Sequence, residues 1–301
     1  MNNELEKIFR KSHSNIIDSF KSLEKSKKAI ITLDKWKRPE GGGGKTFTIQ
    51  NGTFFDNCAV NFSSIKGKEL PQAALGNSLV KSSNNGYQAM GVSVISHPKN
   101  PYVPSSHMNI RLFCTLGKNG EIKDWWSGGG YDLTPFFPYK TDCIQWHKDA
   151  KDCLDQFNKS LYNKFAKNCN EYFYIPHRKE RRGIGGIFFD NFSKLSLDKT
   201  LSLLSCTANQ YMNSYNSIAI KRDSNKYTSA QKDFQLFRRG RYAEFNLTYD
   251  RGTAFGLQSN GRIESILASL PSDVKWSYKK DKNYLKMEKR LLEYIDKDWN
   301  V

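Results

Sequence analysis

Five histidines occur in the chain, and four of them, His97, His107, His147 and His177, fall within residues 97–177. Imidazole is both a proton carrier near neutral pH and a common metal ligand. Their separations of 10, 40 and 30 residues are no local ligand signature. Alternation along a strand gives a sharper reading. On His107-Met-Asn-Ile-Arg-Leu-Phe113, His107, Asn109 and Arg111 share one face, while Met108, Ile110 and Leu112 share the other. On the run Gly91–His97, Ser93, Ile95 and His97 share a face. If the two runs are antiparallel neighbours, Ser93, His97, His107, Asn109 and Arg111 form one polar wall. A wall holding a planar guanidinium suits a carboxylate or phosphate ligand.

Asp132 follows the run Gly128–Gly130, where the backbone can pass close to a flat ligand, and its carboxylate suits N–H donors. Asn260-Gly261-Arg262 precedes an apolar helical pattern over 263–270, and Arg262 there suits a second carboxylate clamp. Tyr242–Asp250 alternates as a strand would, with Tyr242, Glu244, Asn246, Thr248 and Asp250 on one side. His147 lies on the apolar stripe of a helix, and His177 lies in a loop. Gly43-Gly-Lys-Thr46 ends like a phosphate-binding loop, but Pro39 stands where the leading glycine is required and no strand precedes it.

These residues need elements to hold them. Apolar spacing predicts a helix within 4–28, then short strands at 46–50 and 59–63 around Asn51-Gly52. A turn is expected at 82–86. Strands follow at 91–97 and 107–114, and Asn119-Gly120 marks a hairpin. One long helix is expected through Ile144, His147, Ala150, Leu154, Phe157, Leu161 and Phe165. A buried strand at 183–189 and helices at 197–220, 263–270 and 283–295 complete the chain. No repeat or compositional break divides it. The pattern is α+β, a single domain over 1–301 with a helical lead-in at 1–38 and helices outside an antiparallel sheet.

The chain has 301 residues and a formal net charge of +17, which favours an anionic partner. Lysine supplies most of the excess and is scattered, as on a solvated surface. No nucleic-acid recognition signature accompanies it, so nucleic acid is not the expected partner. The six cysteines form no CxxC pair, which excludes a zinc ribbon, and reduced thiols are expected. No apolar run approaches the ~20 residues of a membrane span. The charged start has no signal-peptide core, so a cytoplasmic protein is expected, with the mitochondrial intermembrane space as the alternative.

Several segments together resemble the oxygen-dependent coproporphyrinogen III oxidases. They are Gly41–Gly44, Gly91–His97, Asn100–Pro104, His107–Arg111, Trp125–Pro135, Pro176–Arg178, Arg182–Asp190, Arg239–Tyr242, Glu244–Asn246, Tyr249–Gly252, Phe255–Gln258 and Arg262–Ile266, in family order. The resemblance implies an antiparallel sheet of about seven strands flanked by helices on both sides. It implies oxidative decarboxylation of two propionates of coproporphyrinogen III to vinyl groups, giving protoporphyrinogen IX in haem biosynthesis. Dioxygen is the implied co-substrate and no organic cofactor is implied. Some members are assigned a divalent metal on residues matching His97, His107, His147 and His177. The residue matching His107 is assigned as proton donor, and those matching Ser93, Asn109, Ile110, Arg111, Asn260, Gly261 and Arg262 as substrate-binding. Asp132 is expected to face the pyrrole N–H groups as a second catalytic residue, stabilising positive charge or taking the proton as the ring is oxidised. A homodimer is implied through segments near 54–63 and 242–277, where Phe54, Phe55, Val60, Tyr242, Phe245 and Leu247 are the expected contacts.

Overall fold

The computed structural model describes residues 2–71, 79–80, 85–258, 261–280, 282–299 and 301. The expected turn at 82–86 and Asn260 fall wholly or mainly outside them. The chain opens with α1 (Asn2–Leu23), whose Leu5, Phe9, Ile16 and Phe20 form a buried stripe. Six strands follow as a meander: β1 (Ile30–Lys37), β2 (Gly42–Gln50), β3 (Phe55–Gly67), β4 (Tyr87–Pro98), β5 (Ser105–Leu116) and β6 (Ile122–Thr134). The helices α2 (Lys140–Asp155) and α3 (Leu161–Tyr172) come next, then a two-residue ladder, β7 (Tyr174–Ile175) with β8 (Glu180–Arg181). Strand β9 (Gly185–Phe192) adds beside β6 and completes an antiparallel seven-stranded sheet of order β1-β2-β3-β4-β5-β6-β9. Five helices finish the chain: α4 (Leu197–Asp223), α5 (Ser229–Thr248), α6 (Arg251–Gln258), α7 (Ile263–Leu267) and α8 (Lys282–Ile295).

The two faces of the sheet differ because alternation sends different residues to each. Val60, Phe62, Val92, Val94, Met108, Ile110 and Leu112 are all 2% exposed or less and pack with α1, α2 and α4 into the main core. The opposite face carries small and polar side chains. One row across the strands reads Thr46, Asn61, Ser93, Asn109 and Gly130, each opposite the next. No apolar layer packs there: α7 touches one end of the row through Ser265, which bonds Thr46 at 2.7 Å and Asn61 at 3.1 Å, and a cavity remains over the rest.

Four expectations need correction. Residues 30–37, placed in a helical lead-in, pair with β2 as an edge strand. The single long helix is two, because the Asn158 side chain accepts from Ser160 N at 2.9 Å and Ser160 Oγ at 2.8 Å, which turns the chain between α2 and α3. Tyr242–Asp250 is not a strand: its first seven residues are the last turns of α5. The period-2 pattern is a fragment of a longer helical one, in which Phe234, Phe237, Arg238, Arg241, Tyr242 and Phe245 are buried at steps of three or four. A capping box of Thr228 and Gln231 starts that helix. Finally, the thiols are not all reduced. Packing of α2 on α4 brings the Cα atoms of Cys153 and Cys206 to 6.3 Å, and the two form a disulfide. Cys58, Cys114, Cys143 and Cys169 are free and buried.

Candidate functional site

The cavity has a volume of about 690 Å³, within the range that encloses small molecules. Its floor is the polar row of the sheet. Ser93, His107, Asn109, Arg111, Gly261 and Arg262 all line it, so residues far apart in sequence meet in one hollow. The end of β1 and the turn after it, from Trp36 to Glu40, form one wall. Tyr172, Phe173 and Phe188 form an aromatic wall, with Tyr172 stacked on Phe188 at 4.1 Å between ring centroids. Cationic Lys37, Arg38, Arg111, Arg182 and Arg262 outnumber acidic Glu40 and Asp250 on the lining. A carboxylate ligand is therefore favoured.

Strand register fixes the geometry of the floor. Arg111 lies opposite Gly128, and a Cβ on Gly128 would come within 2.6 Å of its Nε. Glycine there lets the guanidinium lie flat on the sheet. Gly130 takes φ +140, and a Cβ on it would meet the Ile187 carbonyl oxygen at 2.0 Å. Only glycine fits that approach between β6 and β9.

His107 lies opposite Asp132, and its Nδ1 is 3.1 Å from Asp132 Oδ1. Asp132 is 1% exposed and does not line the cavity. It was expected to face ligand N–H groups; instead it lies behind His107 and Arg182. Arg182 Nη2 donates to both its oxygens, at 2.8 and 2.9 Å. Burial opposes ionisation of Asp132, but the Arg182 charge and the His107 hydrogen bond hold its carboxyl below the usual range. An ionised Asp132 accepts the Nδ1–H of His107 and fixes that tautomer. Nε2 of His107 then has no partner among the described residues and is the nitrogen free to exchange a proton with a ligand.

Arg182 received no role from sequence reasoning. It sits in the charged run Lys179-Glu-Arg-Arg182, which reads as a solvated surface. In the fold it is 3% exposed, lies over the rings of Phe173, Tyr242 and Phe245, and donates to Asn246 Oδ1 at 2.8 Å. Two signals of burial were available: Arg182 opens the segment 182–190 that carries the resemblance, and it directly precedes the expected buried strand at 183–189.

The other histidines do not join His107. Among the described residues no three His, Cys, Asp or Glu side chains are grouped to hold a metal ion. His97 is fully buried, with Nε2 on the Ser269 carbonyl at 3.0 Å and Nδ1 on Ser105 Oγ at 3.1 Å. His147 has Nε2 on the Ile184 carbonyl at 2.9 Å and Nδ1 on Tyr162 Oη at 3.1 Å. A carbonyl accepts only, so in each ring Nε2 carries the proton and Nδ1 faces a hydroxyl; Ser105 Oγ can donate to His97, whereas Tyr162 Oη also donates to the Trp299 carbonyl at 3.0 Å. Burial pushes the His97 ring down to about 3 and the His147 ring to about 4, so both stay neutral. His177 sits between Glu244, at 2.7 Å, and Tyr249, at 2.9 Å. Residues so engaged do not fit the expected four-histidine metal site.

Several side chains expected to make ligand or dimer contacts turn inward. Ile110, placed among the ligand contacts, is 0% exposed and points into the core. Of the expected dimer contacts, Phe54, Phe55, Val60, Tyr242 and Phe245 are buried in the chain's own packing, and Leu247 is 55% exposed. Tyr242 and Phe245 turn inward because they lie on the inner face of a helix rather than along a strand.

Floor, arginines and the carboxylate–imidazole pair define an α+β protein with an arginine-lined cavity against one face of its sheet. Comparison with protein-family models matches residues 4–300 to coproporphyrinogen III oxidase, and the chain belongs to that family. The family's reaction is an oxidative decarboxylation in haem biosynthesis. Among the described residues no helix is long and apolar enough to cross a membrane.

Proposed function

We propose that this chain is an oxygen-dependent coproporphyrinogen III oxidase of the cytoplasm, converting two propionates to vinyl groups. For each propionate, R–CH2–CH2–COOH and O2 give R–CH=CH2, CO2 and H2O2. The observation that supports this reading is that Ser93, His107, Arg111 and Arg262 line one cavity. The two arginines would clamp propionates, which are the ligand's fixed charges. Ser93 and Asn109 would meet the macrocycle from the floor, and Tyr172, Phe173 and Phe188 would exclude water from its edge. His107 would move the proton through Nε2, with Asp132 holding the ring and Arg182 holding Asp132. No metal or organic cofactor is given a role, because the substrate is electron-rich and the protein supplies position, charge and dryness.

A fluorescence assay for protoporphyrin tests this. Coproporphyrinogen III should be converted in air and not under nitrogen. Absence of product in air, or equal product without oxygen, would sink the reading.

The chain is further read as a homodimer. Leu247, Leu257, Ile263 and Leu267 lie in the implied dimer segment, 242–277, and are each 39% exposed or more. Sedimentation equilibrium at micromolar concentration should return twice the chain mass, and a single-chain mass would remove this part.

A further inference from the structure

The two outermost strands of the sheet each return a carboxylate to a cavity arginine. From β9, Asp190 meets Arg111 Nη2 at 2.8 Å and Arg251 Nη2 at 3.3 Å. From β1, Asp34 meets Nη2 of Arg262, whose Nη1 also donates to Ser265 Oγ at 3.3 Å. Both arginines line the cavity and neither acid does. Each acid engages a terminal nitrogen of the guanidinium, the part of the fork that a ligand carboxylate needs.

These pairs differ in kind from Asp132 with Arg182. That guanidinium is buried and needs a permanent counter-charge. Arg111 and Asp34 are 42% and 43% exposed on their side chains and their partners Asp190 and Arg262 27% and 28%, so every one of the four keeps access to water once its pair opens. Asp190 also keeps Arg251 when it leaves Arg111. Letting go therefore costs little, and a ligand carboxylate that takes both nitrogens replaces a weaker contact.

We propose that Asp190 and Asp34 are resident carboxylates: they hold the cavity arginines when no ligand is bound and give way to the carboxylates of an incoming one. This rests on reading Arg111 and Arg262 as carboxylate clamps. The residents then oppose binding, and they set the affinity for polycarboxylates below what the two arginines alone would give.

The test uses the full chain and citrate as the probe, titrated calorimetrically at low ionic strength. Asp190→Asn and Asp34→Asn should each tighten citrate binding about two- to fivefold, the range of an exposed ion pair. The double variant should combine the two gains. Arg111→Ala should abolish the gain from Asp190→Asn. Unchanged or weaker binding in the asparagine variants would overturn the proposal, since an acid that merely steadied its arginine would weaken binding when lost. Should an asparagine variant fail to fold, Asp190→Ser and Asp34→Ser carry the same expectation. If citrate behaves as stated but coproporphyrinogen III is not turned over, the substrate assignment fails and the resident carboxylates stand.

Discussion

Arg182 and Asp132 form an ion pair with both side chains 2% exposed, and that pair stands directly behind the one histidine of the cavity. A buried pair of this kind contributes little net stability, because desolvation offsets most of the attraction. Breaking it from one side is another matter. The pair acts chiefly by fixing the charge and the direction of Asp132, and through it the ring of His107.

Arg182→Met leaves the Asp132 charge buried with only the His107 hydrogen bond to compensate it. Urea unfolding should show a loss of about 3–5 kcal/mol. The double variant Arg182→Met/Asp132→Asn should recover about 1–3 kcal/mol of that loss. Strict additivity of the two single changes would show that the pair is not coupled.

His107→Gln should lower kcat by about 10²–10⁴-fold, the range of a lost proton carrier. The ring is only partly buried, so the melting temperature should hold within a few degrees. Steady-state kinetics beside a thermal melt separates the two effects. A kcat within threefold of the parent would remove His107 from the proton path.

Acid should destabilise the fold before it titrates most carboxylates. His97 and His147 are held neutral, down to about 3 and about 4, while in the unfolded chain they protonate near 6.5. Between those values the unfolded state binds more protons, so stability falls as pH falls through 6.5 and keeps falling toward 4. Each ring contributes a slope of about 1.4 kcal/mol per pH unit within that window. Urea midpoints at pH 7.5, 6.0 and 5.0 measure it, and His147→Gln should flatten the curve. A stability unchanged from pH 7.5 to 5.0 would contradict the buried neutral rings.

Because His97, His147 and His177 have both ring nitrogens engaged, dialysis against a strong chelator should leave turnover within experimental error of the untreated protein. Activity lost on dialysis and restored by a divalent ion would show that these rings rearrange to bind one.

Local pattern made much of this protein legible in its sequence. Strand alternation on 107–113 assigns His107, Asn109 and Arg111 to one face, because side-chain direction on a strand depends only on parity. The Asn119-Gly120 hairpin and the helices at 197–220 and 283–295 follow from equally local rules. The error at 242–250 has the same origin: a short window holds too few residues to tell a period of 2 from one of 3.6 when a helix buries a broad face. Charge alone does not separate buried Arg182 from half-buried Arg181 in the run 179–182; only its place at the head of the expected strand at 183–189 does.

Tertiary structure alone decided which groups meet. Asp132 turns from the ligand to Arg182, 50 residues away, and Asp34 reaches Arg262 across 228 residues. Residue type and spacing determined that the chain holds guanidiniums, imidazoles and carboxylates on suitable faces. Their pairing depends on strand order and on how the last helices close over the sheet. Those are set by burial summed over the whole chain, which no short window of sequence contains.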